Sequence, residues 1–225
     1  MCGAVPREPN SRRSSSLTEI VSKIISCTRC PLHATRNRPV PGEGPVPSPL
    51  MMVGEAPGAH EDATGRPFVG PAGMLLDKAM REVGLRREDA YITNIVKCRP
   101  PGNRVPRFAE VKECIGYLKS QLELVNPKVV IALGSTAATY LLSLNEMGAL
   151  PMKPRTITIS RVRGKVFAKK IGNIAFYLVP TYHPAGVLRK RSLYEELVSD
   201  IRLAKEYLTH SEPPNSFSGQ STLPL

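Results

Sequence analysis

Gly54-Glu55-Ala56-Pro57-Gly58, continued by Ala59-His60-Glu61-Asp62-Ala63-Thr64 and Gly65-Arg66-Pro67-Phe68-Val69-Gly70, follows directly on the apolar run Leu50 to Val53. A short apolar run ended by glycine and proline reads as a buried strand, so a first strand is expected at Met51 to Gly54. The turn after it carries a carboxylate, Glu55, and a lone aromatic, Phe68, among glycines and prolines that pack poorly as core. A site is expected at the carboxyl end of that strand.

Working outward, Ala72 to Val83 sets Leu75, Leu76, Ala79, Met80 and Val83 on one helical face, with Gly84 placed as a helix-ending glycine. Upstream, Leu17 to Ile25 has helical spacing with Ser16 as a candidate N-cap, and Arg38 to Pro49 is proline-rich and expected to be extended. Downstream, strands are expected at Tyr91 to Val96 and Val129 to Leu133, and a strand pair at Lys165 to Lys170 and Ile174 to Val179. Helices are expected at Ala109 to Val125, Ser135 to Leu144 and Leu193 to Leu208, with an irregular basic stretch from Met147 to Arg163. Apolar strands alternating with helices predict an α/β fold, a mostly parallel central sheet covered on both faces. Ligands bind such sheets beyond the carboxyl ends of the strands. The turn at Glu55, Asn94 and His183 can all reach that edge.

With 225 residues, 41% of them hydrophobic, the chain can bury one sizeable core. One domain is expected over residues 17–208, with a basic disordered tail at 1–16 and a second tail at 209–225. The net charge of +12 points to a polyanionic partner, nucleic acid first, because each neutralised phosphate releases a counterion. No apolar run approaches the roughly 18 to 20 residues of a membrane span, and no secretory leader is read at the N-terminus. A cytoplasmic, nucleoid-associated protein is therefore expected, in a reducing compartment where clustered thiols serve more often as metal ligands than as disulfides. Neither G-x-x-x-x-G-K-[ST] nor GxGxxG occurs, so no nucleotide cofactor is expected.

Four cysteines, Cys27-x2-Cys30, Cys98 and Cys114, form a candidate metal set, while Cys2 stands apart. Four thiolates suit zinc and an iron-sulfur cube equally well, so spacing alone leaves both open. Either would serve as a structural staple. A third stretch, Thr181-Tyr182-His183-Pro184-Ala185-Gly186, ends the last apolar strand with a histidine whose backbone the proline fixes.

Taken together, the Gly-Glu-Ala-Pro-Gly turn, the cysteine spacing and the His-Pro-Ala stretch make the chain, from about Ile25 to Tyr207, similar to the iron-sulfur uracil-DNA glycosylases. That branch is usually called family 4 and is of archaeal and bacterial, thermostable type. The resemblance implies a three-layer α/β/α fold and a repair enzyme that flips deoxyuridine from single- or double-stranded DNA. It would hydrolyse the N-glycosidic bond and leave an abasic site. It also implies a 4Fe-4S cluster on Cys27, Cys30, Cys98 and Cys114.

Residue by residue, the resemblance gives Glu55 the attacking water or the sugar cation, with assistance from Asn103. Phe68 becomes the stacking floor, worth about 1–3 kcal/mol for a base. Asn94 reads the base edge, its amide matching N3-H and O4 of uracil. Ala56 stands where related family 1 enzymes carry an aspartate. Glu61 fills the space that a thymine methyl would need, and His183 donates to uracil O2 as the base leaves. Leu188 is the candidate wedge into the duplex, with Arg189 and Lys190 on phosphates. A non-catalytic or covalent uracil-DNA binder is the alternative, but the stretch Arg99 to Arg107 carries no trapping histidine. A single copy is expected, and Pro213 to Leu225 is a candidate contact for a replication clamp.

Overall fold

The computed structural model of the chain describes residues 10–211. Cys2 and the stretch Pro213 to Leu225 lie outside them. In chain order the elements are α1 (Asn10–Ile25), β1 (Leu50–Gly54), α2 (Ala59–Thr64), α3 (Pro71–Glu82), β2 (Ala90–Asn94), α4 (Phe108–Val125) and β3 (Val129–Leu133). There follow α5 (Ser135–Ser143), α6 (Ile159–Val162), β4 (Phe167–Ile171), β5 (Ile174–Thr181), α7 (Pro184–Arg189) and α8 (Tyr194–Tyr207).

The five strands make one sheet in the order β2-β1-β3-β5-β4. The first four run parallel, and β4 turns back antiparallel on β5 as a hairpin. Alternation along β1 divides the core. Met51 and Val53 face a layer containing Val111, Leu118 and Leu122 of α4 and Ala138 and Leu141 of α5. Leu50 and Met52 face Leu76 and Met80 of α3 and Leu197 and Ile201 of α8. Successive strand side chains point to opposite faces, so a strand buried on both sides reads as an unbroken apolar run. The result is a three-layer α/β/α arrangement.

The two borders of the sheet differ. Along β2, Glu43 and Ile92 exchange backbone hydrogen bonds of 3.0 and 2.8 Å in an isolated antiparallel bridge. Along β4, Lys169 Nζ donates to the carbonyls of Leu142 and Leu144.

Most expected elements form within a residue or two. One correction concerns the N-terminus: α1 starts at Asn10 rather than after a cap at Ser16, so residues 10–16 are helical rather than tail. Arg12, Arg13 and a serine run hold no apolar period to announce a helix there. Strand β2 stops at Asn94 instead of Val96, yet Ile95 and Val96 still donate to the carbonyls of Gly54 and Glu55 at 2.9 and 3.2 Å. Helices α2 and α6 were not expected; both are too short to show a period. Among the described residues no helix is long and apolar enough to cross a membrane.

Candidate active site

Parallel strands β1, β3 and β5 end together, and their carboxyl ends open into a cleft of about 610 Å³. Glu55, Phe68, Asn94, Asn103, His183 and Arg189 all line it. Residues from distant stretches therefore meet in one cavity. Gly54 permits this convergence, because a Cβ there would lie 2.4 Å from Asn94 Oδ1 and 2.5 Å from Phe68 Cζ.

Asn94 is the last residue of β2 and only 1% exposed. Its backbone carbonyl accepts from the buried Lys97 ammonium at 2.7 Å, while its side-chain Oδ1 has no hydrogen-bond partner. A buried acceptor left unpaired costs about 1–3 kcal/mol. A ligand N–H entering the cleft would recover that cost.

His183 caps α7, and its Nδ1 accepts from the Ala185 amide at 3.1 Å. Because a backbone N–H can only donate, Nδ1 is unprotonated and the ring proton sits on Nε2. Burial, reinforced by the Arg189 charge and opposed by Glu61, pulls the imidazole down to about 4. It is neutral at physiological pH. The Phe68 and His183 ring centroids are 5.7 Å apart and tilted by 33°, so the apolar floor and the donor share one space.

Phe68 is buried with φ of +50°. Glu61, at the third position of α2, brackets that segment. Its Oε1 accepts from the Val69 and Gly70 amides at 2.9 and 2.8 Å, and its Oε2 from Gly58 at 3.1 Å. Three backbone donors thus fix the carboxylate on the cleft wall. Ala56 lines the same wall and packs on the first core, offering a methyl and no ionisable group. Across the cleft, Glu55 Oε2 accepts from the Thr136 hydroxyl in the first turn of α5.

The rim is basic. Asn103 is exposed, in the left-handed region, and its Oδ1 accepts from Arg99 Nε at 2.7 Å. Arg104 grips the 3%-exposed Glu110 through two bonds of 2.9 and 2.6 Å, pinning this loop to α4. Val105 between them is 61% exposed at the cleft mouth. On the other lip, Arg189 lines the cleft and Lys190 is exposed, whereas Leu188 is partly buried against the second core.

Cys27, Cys30, Cys98 and Cys114 are all free and line one small cavity between the end of α1 and the start of α4. Four thiols gathered in one cavity could take either a zinc ion or an iron-sulfur cube. Donors already face two of the sulfurs: Arg36 Nη1 lies 3.0 Å from Cys98 Sγ, and the Lys97 amide 3.3 Å from Cys114 Sγ. Arg29 stacks over Tyr117 beside them. Such donors and cations suit a centre that carries thiolate charge. Burial pushes the Cys114 thiol up to about 11, so a cationic centre is needed to hold that sulfur ionised at neutral pH. The donor set fits a thiolate-bound cluster.

Sequence reasoning missed Thr136, Lys97 and Arg87. Thr136 could have been found as the second residue after the glycine that ends β3. Lys97 and Arg87 gave no signal, since a cation in a basic chain reads as surface. In the fold, Lys97 is fully buried and donates to Thr93, Asn94 and Gln121, each at 2.7 Å.

The model of the "Uracil DNA glycosylase superfamily" matches residues 41–205. A type-4 uracil-DNA glycosylase of Archaeoglobus fulgidus is 43% identical over 198 residues, 88% of this chain and 96% of the relative. Type-4 uracil-DNA glycosylases of Pyrobaculum aerophilum and Thermotoga maritima are 44% and 43% identical, over 83% and 85% of this chain and 92% and 95% of their own lengths. With a matching family model and relatives aligned along nearly their whole lengths, the chain belongs to the type-4 branch of the uracil-DNA glycosylase superfamily.

Proposed function

We propose that this chain is a DNA-repair hydrolase that draws deoxyuridine out of the helix and hydrolyses its N-glycosidic bond, releasing uracil. The observation that carries this reading is the orphaned Asn94 Oδ1, buried in a cleft floored by Phe68 and faced by a neutral imidazole donor. Uracil presents N3-H to that oxygen, whereas cytosine offers an acceptor at N3 and leaves it unpaired. Thymine shares uracil's edge and must be refused by shape. Glu61, fixed by three backbone donors, keeps that wall from yielding.

As the C1′–N1 bond breaks, negative charge spreads onto uracil O2 and positive charge onto the sugar. His183 Nε2–H faces the first, as preorganised donors stabilise an oxyanion. The Glu55 carboxylate, held by Thr136, offsets the second and orients the water whose oxygen bonds C1′. The proton the water gives up is taken by the departing uracil anion, so the products are neutral uracil and an abasic sugar. Asn103, its amide oxygen engaged by Arg99, shapes the water's side of the cleft. Arg189 and Lys190 meet the phosphates of single- or double-stranded uracil-DNA. Cys27, Cys30, Cys98 and Cys114 would hold a 4Fe-4S cluster that supplies a structural cross-link. The protein acts as a single copy in the cytoplasm, with residues 213–225 as the candidate clamp contact.

A glycosylase assay on oligonucleotides containing U:G, U:A, T:G and single-stranded U tests this directly. Uracil release from the uracil substrates and none from T:G is expected. Inactivity of cluster-loaded protein on all of them would overturn the reading.

A further inference from the structure

Phe68 holds φ of +50°, a left-handed conformation rare for a bulky aromatic. Two clamps hold that peptide. On the amide side, Glu61 accepts from Val69 and Gly70, as described above. On the carbonyl side, the Arg87 guanidinium donates to Phe68 O at 3.1 Å and also to Pro67 O.

Arg87 is itself anchored. Glu43 Oε1 accepts from its Nε and Nη2 at 3.0 and 2.8 Å, and Asp77 Oδ1 accepts from Nη1 at 3.3 Å. Helix α3 presses on the same peptide, since a Cβ at Gly73 would sit 1.8 Å from Phe68 O. A guanidinium is a rigid planar fork able to serve two carbonyls and two carboxylates at once; an ammonium is a point charge that cannot.

We propose that Arg87 is a positioning residue for base recognition: its fork across the carbonyls of residues 67 and 68 holds the left-handed backbone from which the Phe68 ring is presented to extruded uracil. The inference rests on Phe68 being the stacking floor. Arg87 touches no substrate and acts through that ring alone.

Two oligonucleotides separate this role from general stability: one carries non-hydrolysable 2′-fluoro-deoxyuridine, the other a tetrahydrofuran abasic analogue. Full-length, cluster-loaded wild type, R87K, R87M, F68L and R87M/F68L are compared by affinity for each. Loss of a stacked base costs on the order of tenfold or more. F68L, R87M and R87K should therefore each weaken binding to base-bearing DNA by about tenfold while changing affinity for the abasic analogue by less than about twofold. In the double variant R87M should add nothing to F68L. R87K keeps the charge beside Glu43 and Asp77, so it serves if R87M does not fold.

Wild-type affinity of both Arg87 variants would overturn the proposal. So would equal weakening on the two DNAs, or a full further loss in the F68L background. If F68L itself binds both DNAs as wild type does, the stacking reading falls and takes the clamp with it. A loss in F68L without one in R87K and R87M removes the clamp alone.

Discussion

At the scale of single residues, the burial of the His183 ring, reinforced by the nearby Arg189 charge, has a consequence for pH. The imidazole lies at about 4 in the fold against an ordinary value of 6.5, so between those values the unfolded chain binds the extra proton. Stability then rises with pH across that window, and the contribution is lost as pH falls from 6.5 toward 4. Thermal melts should show this dependence in the wild type and a flatter one in H183N. Glycosylase activity should not titrate with His183 between pH 5 and 8, which a rate profile checks. Asn94 gives a second expectation. N94A removes the acceptor that awaits N3-H, and kcat/KM on single-stranded uracil should fall by at least about tenfold, the scale of one unpaired buried group. The melting midpoint should hold, since that oxygen has no protein partner to lose.

At the scale of elements, the two lips of the cleft present different apolar side chains. Leu188 on α7, the wedge that the resemblance implies, is partly buried against the second core, while Val105 stands 61% exposed on a loop that the Arg104–Glu110 pair ties to α4. A wedge must be free to enter the stack and stiff enough to stay. V105A should therefore lower activity on duplex U:A several-fold more than on single-stranded U, and L188A should lower stability more than it lowers the duplex preference. The ratio of duplex to single-strand rates decides between them. Element boundaries were legible where period and punctuation agreed: β3 runs Val129 to Leu133 as expected, because Pro127 and Gly134 bracket five apolar residues. They were illegible where a few residues turn without a period, as in α2. The convergence of Glu55, Phe68, Asn94 and His183 was readable from the strand-end rule for parallel sheets. The tautomer of His183, the Arg87 fork and the buried state of Lys97 were not, since each depends on a partner remote in sequence or on a local turn geometry.

At the scale of the whole molecule, the cysteine cavity joins α1 to the head of α4 across a long stretch of chain. Stripping the proposed cluster, or introducing C30S, should lower the thermal midpoint by about 2–4 °C for each kcal/mol lost in a chain of this size, and should expose α1 first in hydrogen exchange. The +12 charge belongs to this scale too. Binding to uracil-free duplex should weaken with salt at a log–log slope of about −0.9 per phosphate neutralised, and a flat dependence would count against the basic rim as a DNA surface.

The two borders of the sheet bear on how the protein behaves in company. Open strands act as templates onto which another chain can knit itself. Here one flank is already bridged by Glu43 and the other carries lysine tethered to the neighbouring loop. Crowded copies of this repair protein would meet one flank already bridged at Ile92 and, on the other, a charged side chain of the kind that discourages strand pairing.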